Sequence, residues 1–258
     1  MHEVEAGLLL CENVKRDFIA RNASAPNMNV AMDRLAETVQ PLGFSMVCYS
    51  YMPTTRLADG RWAPPPLLTR NYPARWDVAW ERHNANDPYY HACFDGDIAI
   101  EWSAVQERDE LTPIERDSWN YLADKQLHRG ITIPIHLPGQ RFAFVSAIRD
   151  SSAQASAELH RMTKDTLFII AHQFHSATFH KFQNPFPQRR PNELSARELE
   201  CLQWAANGKT AEDIACILGR SVETVRIQLK RACTKLTASN RANAVAKASY
   251  LGLIKFPH

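Results

Sequence analysis

Residues 194–236 read LSARELECLQWAANGKTAEDIACILGRSVETVRIQLKRACTKL, and this stretch fixes how the rest of the chain is organised. It reads as three short helices, each with its own start signal. Ser195 and Glu198 have the spacing of a capping box, in which hydroxyl and carboxylate each take a free backbone N–H of the first turn. Thr210 and Asp213 repeat that arrangement, Ser221 caps the third helix, and Asn207-Gly208 and Gly219 supply the stops. On the third helix Val222, Val225, Leu229, Ala232, Cys233 and Leu236 share a stripe that must be buried. Opposite lie Glu223, Thr224, Ile227, Arg231 and Thr234, flanked by Lys230 and Lys235. A solvated basic face with one stray isoleucine is the bland alternative, since isolated exposed apolar residues are ordinary. Three capped helices joined by very short turns outweigh it. An apolar side chain among cations and hydroxyls suits a DNA major groove, where it meets a thymine methyl while Arg and Lys meet guanine edges or phosphates. The middle helix, with Ile214, Ala215, Ile217 and Leu218 inward, reaches the third through Gly219-Arg220-Ser221, the turn of a helix-turn-helix. The expected DNA contacts are Lys209, Thr210, Ser221, Glu223, Thr224, Arg226, Ile227, Lys230, Arg231 and Lys235.

The segment 194–254 resembles the C-terminal DNA-binding domain of LuxR-type transcription regulators. The likeness rests on Leu194-Ser195, Arg197-Glu198, Asn207-Gly208-Lys209-Thr210, Ile214-Ala215, Thr224-Val225, Lys235-Leu236, Ser239-Asn240-Arg241 and Ala244-Val245-Ala246. Gln228 stands where members of the family often have His, which bears on which operator is read.

With 258 residues, 45% hydrophobic and 22% charged, the chain has the length and composition for two modest globular domains. Its formal net charge of +2 is unevenly spread: ten Lys/Arg against six Asp/Glu from Pro191 onward give +4, leaving −2 for the remainder. The excess falls where attraction to phosphate needs it. Six cysteines show no C-x-x-C spacing, which favours free buried thiols in a reducing cytoplasm over disulfides or zinc. The acidic start and the short Leu8-Leu9-Leu10 run argue against a signal peptide, and no apolar run approaches a membrane span. A soluble cytoplasmic protein without membrane association is expected.

Along the chain, residues 29–39 carry helical periodicity with Val30, Met32, Leu35, Ala36 and Val39 inward. Residues 44–51 and 67–72 read as strands around a proline-rich loop at 54–66. Pro73 sits at a first helical position, and the helix it opens would set Trp76 and Trp80 on one face before Asp87-Pro88 ends it. Two indoles so spaced are explained by burial alone, but each brings an N–H that needs an acceptor, which a binding pocket supplies. Thr112-Pro113-x-Glu115 opens another helix with Trp119, Leu122, Ala123 and Gln126 on one side, ended by Gly130. Residues 131–137 and 141–148 form a hairpin about Pro138-Gly139, and 158–181 is helical again, with Met162, Thr166, Ile169, Ile170, Gln173, Phe174 and Ala177 inward. The fold class is α/β: an N-terminal α-β-α sandwich around a mainly antiparallel sheet, then a small all-α helix-turn-helix domain. The expected boundaries are 1–183, a proline-rich linker at 184–192, and 193–258.

Across residues 29–177 the chain also resembles the autoinducer-binding domain of quorum-sensing LuxR regulators, through Asn71-Tyr72-Pro73, Trp76, Asp87-Pro88, Trp102, Gly130-x-Thr132-x-Pro134 and Ser146. The resemblance implies a pocket for an N-acyl homoserine lactone. Trp76 would donate to the lactone carbonyl, Asp87 would accept the amide N–H, and Tyr72 and Ser146 would lie near the acyl carbonyl. Trp80, Trp102, Trp119, Ala123, Leu127 and Thr132 complete the expected ligand site. Two departures stand out: Asp87 follows Trp76 sooner than in members of the family, and Trp80 replaces a usual tyrosine. The resemblance therefore implies a ligand-responsive, homodimeric transcription regulator with no cofactor beyond the small molecule. The alternatives are a relative that senses some other apolar ligand and a ligand-independent relative that acts by pairing with another regulator. An enzyme is disfavoured: His172, His175 and His180 lack a carboxylate or thiolate within helical reach for a metal site, and no acidic cluster marks a phosphorylated receiver domain.

Overall fold

The computed structural model describes residues 2–57, 60–96, 98–108, 111–138, 141–149, 157–182 and 194–254. The expected linker at 184–192 and Gly139 of the hairpin turn lie outside them. The chain begins with α1 (His2–Asn22), which sequence periodicity left unassigned, followed by α2 (Met28–Val39), capped by the Asn27 side chain on Val30 N. A five-stranded sheet in the order β2-β1-β5-β4-β3 is built from β1 (Met46–Met52), β2 (Leu68–Arg70), β3 (Ile100–Glu101), β4 (Gly130–Leu137) and β5 (Arg141–Ile148). Strand β1 runs antiparallel to both β2 and β5, as β3 does to β4. Between β2 and β4 lie α3 (Pro88–Ala92), α4 (Trp102–Gln106) and α5 (Pro113–Asp124), and α6 (Ala157–Phe182) follows β5.

Strand alternation sends the two faces of this sheet to different partners. Tyr49 packs edge-on to Phe174 at 5.0 Å and hydrogen-bonds His175 Nδ1 at 2.9 Å, so Val47, Tyr49 and Tyr51 face α6, with α1 and α2 beside it. Met46, Cys48, Ser50 and Met52 point the other way, where the Tyr90 hydroxyl donates to Met52 Sδ and Phe94 meets Phe142. That second face carries the candidate ligand site.

Several expectations change here. No regular helix follows Pro73: Trp76, Val78, Trp80 and Arg82 each donate to the carbonyl three residues back, as 3-10 turns do, and Arg75 has a φ of 59°. Asp87-Pro88 opens a helix rather than ending one, because Asp87 accepts from Tyr89 N at 2.9 Å and Pro88 needs no donor at its position. The α5 helix stops at Asp124, with Gln126 left-handed at φ 61°, and Gly130 begins a strand instead. A Cβ on Gly130 would stand 2.9 Å from Ala147 O and 3.1 Å from Trp102 Cδ2, so glycine is needed for close approach. On α6 the buried stripe is Thr163, Thr166, Leu167, Ile170, Ala171, Phe174, His175 and Thr178; Ile169 and Gln173 are exposed. His172 Nδ1 and His175 Nδ1 take separate partners, Phe168 O and Tyr49 OH.

The C-terminal helices are α7 (Ala196–Ala206), α8 (Ala211–Leu218), α9 (Val222–Lys235) and α10 (Arg241–Tyr250). Both expected capping boxes form, Ser221 caps α9 through Thr224 N, and Gly219 ends α8 at φ 59°. Leu202, Ile214, Val225, Leu229, Ala232, Leu236, Ala244 and Ala248 make one core. Ile217, expected inward, is exposed, because this two-turn helix meets the core along Ala211, Ile214, Ala215 and Leu218. Cys216 is exposed as well, against the expectation of buried thiols, whereas Cys11, Cys48, Cys93 and Cys201 are buried. Packing divides the chain into two compact units: Met1–Met52, Pro64–Ile135 and Phe142–Phe186 in one, Pro53–Ala63, His136–Arg141 and Pro187–His258 in the other. Trp62, in the proline-rich loop, is covered by the Arg56 guanidinium 3.2 Å from its ring centre. Among the described residues no helix is long and apolar enough to cross a membrane.

Candidate functional site

In the first unit, the expected ligand residues fall into two aromatic and polar groups joined through Cys48. The first runs from Tyr72 to Trp76 (ring centres 4.8 Å) to Trp80 (5.8 Å) to Tyr121 (6.1 Å), and the Tyr121 hydroxyl donates to Trp76 O. The second is a buried relay: Trp102 Nε1 donates to Thr132 Oγ1 at 2.8 Å, which lies 2.8 Å from Ser146 Oγ. Cys48 pairs with Ser146 in the strand register and hydrogen-bonds Tyr72. Sequence reasoning omitted Cys48, Tyr89 and Tyr121. Tyr89 stacks flat on Trp102 (4.2 Å, 7°), and its place directly after the Asp87-Pro88 helix start was the available signal.

The electrostatics follow from burial. It pushes the Asp87 carboxyl up to about 6, with the Tyr89 backbone N–H, His91 and the Tyr90 backbone N–H opposing. It likewise raises Cys48, Tyr72 and Tyr89, which stay protonated and keep their hydrogens for bonding. Ser50 Oγ and Trp80 Nε1 are buried with no hydrogen-bond partner. A buried polar group left unmade costs about 1–3 kcal/mol, so these atoms suit an occupant that supplies partners. Leu127 is fully buried and Ala123 partly so.

In the second unit, α9 turns Glu223, Thr224, Ile227, Lys230, Arg231 and Thr234 outward, and Ile227 is 42% exposed. Ile227, Lys230, Arg231, Thr234 and Lys235 line one shallow groove. Other expected contacts have partners within the unit. Lys235 Nζ lies 2.8 Å from Glu198, a buried carboxylate that also accepts from Ser195 N at 2.7 Å. Burial alone would raise the Glu198 pKa, but Lys235 and Ser195 outweigh it and hold it low. Arg226 pairs with Glu212 at 2.9 Å on the surface, where solvent screens the bond. Thr210 and Ser221 are N-caps, and Lys209 is exposed with its carbonyl held by Arg241. Among the described residues no cluster of three metal-ligating side chains occurs.

Comparison with known proteins agrees with this division of labour. Residues 28–178 match the family described as autoinducer binding domain, and residues 192–248 match bacterial regulatory proteins, luxR family. The HTH-type quorum sensing-dependent transcriptional regulator RpaR of Rhodopseudomonas palustris is 30% identical over 226 residues, 87% of this chain and 88% of that protein. The HTH-type quorum-sensing regulator RhlR of Pseudomonas aeruginosa is 31% identical over 225 residues, 85% and 88% of the respective chains. The crystal structure of Escherichia coli SdiA shares the fold, with a TM-score of 0.62 at 21% identity over 93% of this chain and 97% of that one. A structure of SdiA in complex with octanoyl-rac-glycerol gives 0.63 at 23% identity, over 95% and 96%. Helix α1 precedes the matched region.

Proposed function

Because the chain belongs to the LuxR-type transcription regulators that join an autoinducer-binding domain to a helix-turn-helix, we propose that it binds a near-palindromic operator as a cytoplasmic homodimer under control of an N-acyl homoserine lactone. One observation carries the DNA half of this reading: an isoleucine exposed at the centre of a cationic helix face whose opposite side is fully used by the core. Ile227 takes a thymine methyl, Arg231 and Lys230 take bases or phosphates, and Thr224 and Glu223 flank them. Lys235 and the caps Thr210 and Ser221 hold the helix in place while presenting backbone to phosphate. Domain boundaries at 1–183 and 193–258 with a linker between them serve this arrangement. Helix α10 leaves Ala242 and Ala246 exposed beside half-buried Val245, small side chains that allow a second copy to approach.

In the ligand half, the Trp76 indole meets the lactone carbonyl, Asp87 the amide N–H, and Tyr72 and Ser146 the acyl carbonyl, with Leu127, Ala123 and Trp119 along the chain. Binding stabilises the first unit by mass action and biases which arrangement of two DNA modules is populated. Anisotropy titrations of the full chain against promoter fragments and scrambled duplex test the DNA reading. Ile227→Ala weakens specific binding about tenfold and non-specific binding far less, matching the loss of one base contact; equal losses on both duplexes contradict it. A second reading, a ligand other than a lactone, is favoured by Trp80. Its N–H is buried without an acceptor, and an indole cannot accept as the family's usual tyrosine oxygen can. A ligand with a further carbonyl or ring oxygen would meet it, and a protein that pairs with another regulator would need none.

A further inference from the structure

Helix α1 packs against α6 and α2 with Cys11, Val14 and Phe18 buried, and their spacing fixes which side of the helix is covered. The opposite side of such a helix ordinarily carries charged and polar residues. Here it carries Leu9, Glu12, Arg16 and Ile19, at steps of three, four and three, with Leu8 and Ala20 beside them, all exposed. Leu9 is 64% exposed and Ile19 47%. Apolar residues scattered singly over a surface call for no explanation. Two of them at the a and d spacing of a helix–helix seam, with one acid and one base between, form a pattern.

That pattern is complementary to itself. Setting a second copy of the helix antiparallel, about a two-fold axis level with Val14, places Leu9 against the partner's Ile19 and Glu12 against the partner's Arg16. The symmetry repeats both contacts, and Leu8 falls opposite the partner's Ala20. A parallel pairing would instead place Glu12 on the partner's Glu12 and Arg16 on the partner's Arg16, like charge on like. Within the helix Glu12 Oε1 takes Lys15 Nζ, whereas Arg16 Nη2 donates to Asn13 Oδ1 at 2.8 Å and meets no carboxylate among the described residues. The guanidinium therefore keeps donors for an acceptor that arrives from outside, and a carboxylate is the one its planar fork suits. We infer that α1 is a contact surface between two copies of this chain, paired antiparallel through Leu9, Glu12, Arg16 and Ile19.

The inference rests on the homodimer part of the proposed function and gives it a surface besides α10; it does not depend on which ligand the aromatic site takes. From Leu9 to Ile19 the seam runs about 15 Å along the helix axis, short for an interface that holds by itself. Association through it is accordingly weak and concentration-dependent. On DNA, engagement of one half-site raises the effective concentration for the other, so a weak seam suffices. Helix α1 lies before the region that matches the autoinducer-binding family, and substitutions in the seam leave that region's own residues unchanged.

Sedimentation equilibrium of the full chain, from about 1 to 100 μM, tests it, with a monomer–dimer equilibrium expected for the wild type. Leu9→Glu and Arg16→Glu each weaken association about tenfold or more, the second by bringing four carboxylates together at the centre of the seam. Both positions are exposed, so the melting temperature of each variant stays near that of the wild type. Glu12→Arg combined with Arg16→Glu restores association to within about threefold, because the symmetric pair re-forms with its signs exchanged. A wild-type chain that stays monomeric over this range removes both the seam and the homodimer reading on which it rests. A dimer undiminished in Leu9→Glu and Arg16→Glu removes the seam alone and leaves another surface to join the copies. Failure of the double exchange to restore association overturns the antiparallel register.

Discussion

The C-terminal unit and the sheet unit differ in how completely they satisfy themselves. In the C-terminal unit Ser195, Thr210, Ser221 and Asn240 each close a helix start, Glu198 is held by Ser195 and Lys235, and one apolar core runs through all four helices. Its buried polar atom without a partner is Asn207 Oδ1 at a helix end. Among the described residues the sheet unit leaves Asn22, Ser50, Trp80, His128 and Arg149 with unpartnered buried atoms, and a carboxyl, Asp87, with its pKa pushed up to about 6. A module that reads DNA needs a fixed shape and finishes it internally. A module that senses a small molecule leaves polar atoms for the molecule to finish.

The largest break in that contrast comes from Trp76→Ala. Removing a nearly buried indole costs about 3–5 kcal/mol and, with it, the stabilisation a lactone gives, while the C-terminal unit should melt as before; calorimetry with and without ligand separates the two. Asp87→Asn comes next. A carboxyl raised from 3.8 to about 6 contributes stability that is complete below about pH 4 and is lost as pH rises through about 6. Asparagine keeps the cap on Tyr89 and cannot ionise, so the variant should recover at most about 3 kcal/mol above pH 7 and flatten the pH–stability curve between 4 and 7. In the other unit Ile227→Ala should leave stability within about 0.5 kcal/mol, since it is exposed, while costing about 1–2 kcal/mol on the operator. Ser195→Ala has the smallest effect, about 1 kcal/mol, read as a modest fall in the melting temperature of the C-terminal unit. A loss of several kcal/mol there would mean that the cap carries the Glu198–Lys235 pair with it.

Why one unit was readable in the sequence and the other only partly follows from the same contrast. Caps and glycine stops act within four residues, so Ser195, Thr210, Gly219 and the α9 stripe from Val222 to Leu236 were visible in one dimension, although the short α8 placed Ile217 outside. The sheet unit is assembled by register across distant strands. Cys48 meets Ser146 only because β1 and β5 pair, and nothing near either residue in the chain announces it. The four-residue spacing of Trp76 and Trp80 suggested a helix, yet 3-10 turns with Arg75 left-handed bring the rings together as well. Helix α1 buries Cys11, Val14, Phe18 and Asn22 at helical spacing and turns Glu12, Arg16 and Asp17 outward, but exposed Leu8, Leu9, Leu10 and Ile19 blur that pattern in the sequence. The identity of the ligand residues came from resemblance; the hydrogen-bond relay from Trp102 to Ser146 had to be seen.

The central claim is that the aromatic interior of the sheet unit is completed by a small molecule. Its most direct test is the melting temperature of the full chain against a panel of N-acyl homoserine lactones of graded chain length, in wild type and Trp76→Ala. At least one member at one hundred times its dissociation constant should stabilise the wild-type protein by about 2.7 kcal/mol, several degrees, and leave the variant unmoved. A panel without effect, or a shift of equal size in Trp76→Ala, would contradict the account.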